Sequence, residues 1–264
     1  MPIGDFEREV LRLLAANRNP DSFVGGGTVI NQPSTAPRSS EDIDVFHDTQ
    51  ESLRQSMEAD LRSLRGAGYQ ADVVAVTVSF ARASVARGGR QTKIEWVNDS
   101  PFRFFPIEPD HELGWRLNFW DAATNKVLAV AGRTAARDYV DLLYLHERHL
   151  SFGSLVWAAA AKDPGLTPEL IVQLARRNSK YRLEDFDGVR TSQPVDLRAM
   201  KAAFLQAADA AEELFIRLPV EELGCFYLDA KGHPIEPNPS DDRFPELQRH
   251  FGSVKGAWPR IVES

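Results

Sequence analysis

Apolar residues recur along this chain with two periods, mixed up to about residue 121 and helical after it. Phe6, Val10, Leu13 and Leu14 keep helical spacing and predict a first amphipathic helix over about residues 5–17, ended by Asn17 to Pro20. Ser22 to Gly25 reads as a short buried strand, and Thr28 to Gln32 as at most one or two helical turns. Pro33 and Pro37 impose irregular chain, because each lacks a donor and restricts the residue before it. Asp42 to Phe46 then alternates as a strand. Leu53, Met57, Leu61 and Leu64 form one helical stripe, with Asp48 or Thr49 as the cap and Gly66 and Gly68 as the stop.

From Ala71 to Phe80 the run is β-branched and apolar, which predicts a central strand. Gly88-Gly89 marks the turn of a hairpin whose returning strand is Thr92 to Val97. Its residues Lys93, Glu95 and Val97 share one face, and Ile94 and Trp96 the other. Residues 98–112 read as loop, and Trp115 to Trp120 as one more short strand. Beyond 121 the pattern is helical: Lys126 to Arg133, a helix starting near Asp138, and helices at about 151–161, 167–178 and 196–217. From Gly224 onward proline and charge dominate, and a loosely structured arm is expected. The reading is a mixed α+β domain over 1–120, a helical domain over 121–223 and a Pro-rich C-terminal arm over 224–264.

Composition narrows the function. The 264 residues are 43% hydrophobic and 26% charged, as in an ordinary globular protein. A net charge of −7 argues against sequence-independent coating of nucleic acid, which needs many lysine and arginine contacts to phosphate. With one cysteine, Cys225, the chain can form neither an internal disulfide nor a cysteine-based zinc site. No segment approaches the roughly 20 apolar residues of a membrane helix, and the N-terminal residues lack signal-peptide character, so a cytoplasmic protein is expected.

The chemistry gathers in two short stretches. Phe23 to Thr28 ends an apolar run in three glycines, whose missing Cβ atoms let backbone N–H groups approach phosphate oxygens closely. Asp42 and Asp44, two apart on a strand, project together, while Ile43 points into a core. Paired carboxylates of this kind attract a divalent cation, and Glu95 on a later strand is the candidate third acid. Its role is open between a ligand of a second ion and the acceptor of a proton. A Gly-x-x-x-x-Gly-Lys phosphate loop is absent from the sequence. His146 and His149 are three apart, which is not the metalloprotease spacing.

The order Gly26-Gly27-Thr28, spacer, Asp42-Ile43-Asp44 resembles the nucleotidyltransferase superfamily with a polymerase-β-like core. Arg38 and Ser40 ahead of the two acids, and the block from Lys126 through Arg137-Asp138 into an apolar helix, are similar to the AbiEii/AbiGii toxin-type branch. The resemblance covers roughly residues 10–147. It implies a core of mixed sheet and flanking helices followed by a helical half. It also implies Mg²⁺ (or Mn²⁺) on Asp42 and Asp44, a nucleoside triphosphate, an RNA acceptor such as a tRNA end, and a partner antitoxin protein.

In this reading Gly26, Gly27, Thr28, Arg38 and Ser40 serve the nucleotide. Lys126 neutralises triphosphate charge, and Asp138 completes the site, with Asp141 able to trade places with it. Gly25 is the spare of the glycine triplet, and Arg38 serves either phosphate or the acid cluster. The competing readings are a small-molecule nucleotidyltransferase of the antibiotic-modifying kind and a non-catalytic binding relative.

Overall fold

The computed structural model describes residues 3–40 and 42–260; Glu41 and the last four positions of the expected arm lie outside them. The chain forms two compact units, residues 1–101 with 106–122, and residues 102–105 with 123–264.

In the first unit, seven strands make one mixed sheet: β1 (Ser22–Val24), β2 (Asp42–His47), β3 (Gln70–Val76), β4 (Phe80–Arg87), β5 (Arg90–Asn98), and, after the two-residue β6 (Phe102–Arg103) of the other unit, β7 (Glu108–Asp110) and β8 (Gly114–Arg116). The order is β3-β4-β5-β2-β1-β8-β7. The β2–β5 and β1–β8 pairs are parallel and the others antiparallel. Helices α1 (Asp5–Leu14) and α3 (Gln50–Gly66) cover one face, while the short α2 (Gly26–Ile30) follows β1 directly. The core is the apolar side of this layer: Ile43 and Val45 of β2 and Ile94 and Trp96 of β5 meet Phe6, Val10, Leu61 and Leu64 of the helices.

A buried polar chain runs through the same core. Asp60 of α3 accepts from the Trp96 indole at 2.8 Å and pairs with Arg18. Arg18 donates to Ser22 Oγ at 3.2 Å, and Ser22 lies 3.1 Å from His47 Nε2. Each of these side chains therefore has a partner, which is the condition for burying it, although the Arg18 Nε makes no hydrogen bond of its own.

Several expectations fail for physical reasons, the stretch 98–112 read as loop among them, since it holds β6 and β7. The run from Ala71 is an edge strand, not a central one, with Val73, Val74, Val76 and Val78 all exposed. β-branched content reports fit to a pleated surface and says nothing about how many neighbours a strand has. The stretch from Trp115 to Trp120 is not one strand. β8 stops at Arg116, and α4 (Phe119–Gly132) begins after Asn118, whose side chain accepts from Trp120 N–H at 2.9 Å.

The second unit is mostly helical: most of α4, then α5 (Ala136–Arg148), α6 (Phe152–Ala159), α7 (Pro168–Asn178) and α8 (Leu197–Arg217). Every residue of α6 is buried, as expected for a helix that is apolar all round. Gly153 lets it approach α8 closely, since a Cβ there would stand 2.9 Å from Ala211 Cα. The expected loose arm is instead tied down. Strand β9 (Cys225–Leu228) is wholly buried and pairs with β10 (Gln248–Phe251), and β11 (Ser253–Val254) pairs with β6. Glu236 also caps α6, accepting from Ser151 Oγ at 2.6 Å and Ser154 Oγ at 2.9 Å. Prolines in this stretch exclude long regular elements but not short apolar runs such as Phe226 to Leu228, which find a core.

Candidate active site

The first group of candidate residues sits where β1 hands the chain to α2 beside β2. Along β2 burial alternates: Asp42, Asp44 and Phe46 are half-buried on one face, while Ile43, Val45 and His47 are buried on the other. In the register of the sheet, Asp42 lies opposite Lys93 and Asp44 opposite Glu95 across the parallel β2–β5 pair. Lys93 lies opposite Ser84, and Glu95 opposite Arg82, across β4–β5. The open face of the sheet therefore carries two charged rows, Asp42–Lys93–Ser84 and Asp44–Glu95–Arg82.

Each glycine of the triplet answers to a different neighbour. Gly25 donates to the Asp44 carbonyl at 3.0 Å, and a Cβ on it would fall 2.6 Å from the Phe46 ring. Gly26 has φ +61°, and a Cβ there would meet Asp44 Oδ2 at 2.1 Å. A Cβ on Gly27 would stand 2.6 Å from the Arg38 guanidinium. The triplet thus has no spare. It lets the chain pass under an aromatic ring, beside a carboxylate and beside a guanidinium in three successive steps.

The neighbouring polar residues fix this turn. Thr28 is buried, and its hydroxyl donates to the Asp42 carbonyl at 3.2 Å, with Ser40 Oγ 3.3 Å away. Ser40 Oγ donates to the same carbonyl at 3.2 Å. Buried Arg38 donates to the Ser39 carbonyl at 3.0 Å. Thr28 and Ser40 hence tie α2 to the first residue of β2. Glu95 is engaged as well: Arg82 Nε donates to its Oε1 at 2.8 Å, with the second guanidinium nitrogen 2.6 Å away. Among the described residues no three acidic, histidine or cysteine side chains already converge to hold a metal.

The second group lies wholly in the second unit. Lys126 of α4 places its amine 2.5 Å from Asp138 and 3.0 Å from Asp141, both fully buried on α5. Arg133, in the turn between the helices, adds a contact to Asp138 at 2.7 Å. Burial alone would push the Asp138 carboxyl up, but Lys126 and Arg133 outweigh it and hold it at about 2. Three residues apart on one helix, Asp138 and Asp141 share a face and so share the lysine.

Sequence reasoning missed Arg82 as the partner of Glu95, although the signal was present. A two-residue turn at Gly88-Gly89, both with positive φ, pairs Arg87 with Arg90 and, counted outward, Arg82 with Glu95. The hairpin is also less basic than its composition suggests. Arg87 and Arg90 both pair with Glu9, and Arg87 lies over the Tyr69 ring at 4.1 Å.

This layout of a glycine turn against an aspartate strand, with a lysine–aspartate cluster on later helices, can be compared with known proteins. The family model for the nucleotidyl transferase AbiEii toxin, of a type IV toxin–antitoxin system, matches residues 12–217. The chain belongs to the AbiEii nucleotidyltransferase toxin family. MenT4, a nucleotidyltransferase toxin from Mycobacterium tuberculosis, shares the fold at a TM-score of 0.54 and 16% identity, over 82% of this chain and 83% of that one. An H. pylori protein described as a candidate nucleotidyltransferase aligns with a TM-score of 0.50 and 19% identity, over 80% of this chain and 95% of that one. No curated protein sequence matches the chain. The AbiEii-family chain is accordingly a nucleotidyltransferase, with the α+β core and helical second half of that fold. None of its described helices is long and apolar enough to cross a membrane.

Proposed function

We propose that this AbiEii-family enzyme moves a nucleoside monophosphate from a nucleoside triphosphate to an acceptor hydroxyl, with Mg²⁺ or Mn²⁺ held by Asp42 and Asp44. The observation that carries the reading is Gly26. Its backbone lies so close to the Asp44 carboxylate that no Cβ fits between them, so the glycine turn and the acid assigned to the cation are immediate neighbours. That donor set suits a metal–phosphate pair, because Mg²⁺ prefers oxygen ligands shared between carboxylates and substrate phosphates. The bound ion would supply charge neutralisation at the phosphoryl oxygens.

The chain's own residues do the rest. Backbone N–H groups of Gly26, Gly27 and Thr28 bind the leaving phosphates, and Arg38, beside Gly27, adds positive charge. Thr28 and Ser40 hold that turn against β2. Glu95 is the third acid of the face. Lys126 carries charge for the triphosphate, and Asp138 holds that lysine in place. As the acceptor hydroxyl oxygen bonds to the α-phosphorus, its proton passes to solvent, the bond to the bridging oxygen breaks and pyrophosphate leaves.

The acceptor in this reading is RNA, such as a tRNA end. The setting is the cytoplasm, with a cognate antitoxin that neutralises the enzyme. The test is to incubate the enzyme and Mg²⁺ with each α-labelled triphosphate, and to offer total tRNA or small hydroxylated acceptors. Label on RNA, lost in Asp44→Ala together with growth inhibition on expression, is the expected result. Label on small molecules alone would sink the RNA reading.

A further inference from the structure

The third acid of the sheet face does not lie open. Glu95 stands directly across from Asp44 in the parallel β2–β5 register, so the two carboxylates start from neighbouring positions of one sheet row. Its carboxylate, however, is bonded by the Arg82 guanidinium at 2.6 and 2.8 Å, and only 17% of the Glu95 side chain is exposed. Arg82 is itself steered. It projects from the cross-strand position opposite Glu95, and its guanidinium carbon lies 5.2 Å from the centre of the Phe80 ring. The second observation is that Asp42, Asp44 and Glu95 do not converge as a three-acid group. At the same time the Arg82 side chain is 42% exposed, so a phosphate group of a bound ligand has access to it.

We infer that Arg82 is a positioning residue that holds Glu95 out of the Asp42–Asp44 cation site, and that Glu95 becomes a ligand only when Arg82 lets go. The inference rests on the metal reading proposed above. It adds a residue that sets how many carboxylates the site offers. Lys93 lies on the same face, opposite Asp42, and serves as a matched cation without a bond to Glu95 among the described contacts.

The test is Mn²⁺ binding to the nucleotide-free protein, followed by electron paramagnetic resonance, in Arg82→Ala, Glu95→Gln, the double variant, and Lys93→Ala. Arg82→Ala is expected to tighten Mn²⁺ binding about fivefold to tenfold, the scale of coupling between contacting charged groups, and Arg82→Gln to do the same. Glu95→Gln alone is expected to change affinity little, and in the Arg82→Ala background to remove most of the gain. Lys93→Ala is expected to give a smaller gain that is the same with Glu95 or Gln at position 95. Equal tightening by Arg82→Ala in both backgrounds would mean a general charge effect and would overturn the inference, as would no change or weaker binding. Asp42→Asn with Asp44→Asn separates the two failures: if that pair leaves Mn²⁺ binding intact in every background, the metal reading itself is wrong.

Discussion

The two units each gather acidic side chains, and they treat them in opposite ways. On β2, Asp42 and Asp44 are half-buried on an open sheet face beside glycine backbone. On α5, Asp138 and Asp141 are fully buried, and a resident lysine supplies the countercharge. A carboxylate on the solvent-facing side of a sheet stays available to a ligand. A carboxylate sealed inside a helical layer must have its partner built in, since an isolated buried charge costs several kcal/mol. The same residue type thus serves binding in one place and internal order in the other.

Removing the internal partner gives the largest expected effect. Lys126→Met takes the shared lysine from both buried carboxylates, leaving Arg133 on Asp138, and should cost ~3–5 kcal/mol in urea unfolding. Asp42→Asn should alter stability by no more than about 0.5 kcal/mol while abolishing transfer. Equal stability losses in the two variants would erase the contrast.

Acid separates the regions next. His47, on the buried face of β2, has its pKa lowered to about 4 by burial and by the nearby Arg18 charge. Because the unfolded imidazole takes its proton near 6.5, stability is full above that pH and falls by about 3 kcal/mol as pH drops to about 4. Asp138 acts later. Its carboxyl is held at about 2 against an ordinary 3.8, so its contribution of about 2 kcal/mol survives to about pH 4 and is lost between there and about pH 2. Urea midpoints measured from pH 8 to 3 should show the first fall, and His47→Gln should flatten it.

Gly26→Ala probes the open face directly. The added Cβ collides with Asp44, and the positive φ costs an alanine about 1–2 kcal/mol. Displacing that carboxylate by about 1 Å should slow transfer roughly 100-fold in a single-turnover assay. A rate within a factor of two of wild type would disconnect the glycine from the chemistry. The smallest effect is expected from Thr28→Val, which keeps the volume but loses the hydrogen bond to the Asp42 carbonyl. About 1 kcal/mol of stability should go, read from the urea midpoint.

Local pattern alone determined a good deal of this molecule. Alternation along Asp42 to Phe46 put Asp42 and Asp44 on one face and Ile43 on the other, helical spacing located α3, α7 and α8 to within a residue or two, and the order of glycines, aspartates and lysine pointed to the family. These features depend on near neighbours in the chain, whose geometry is set by the backbone period. Long-range arrangement was needed for the rest. The edge position of β3, the burial of β9 in an apparently loose arm, the bond from Arg82 to Glu95, and the separate neighbour that makes each of Gly25, Gly26 and Gly27 necessary all involve partners chosen by packing. A sequence states which residue can turn, pair or charge. Only the folded chain decides which residue stands opposite it, because that choice comes from burying a shared surface rather than from any one residue's preference.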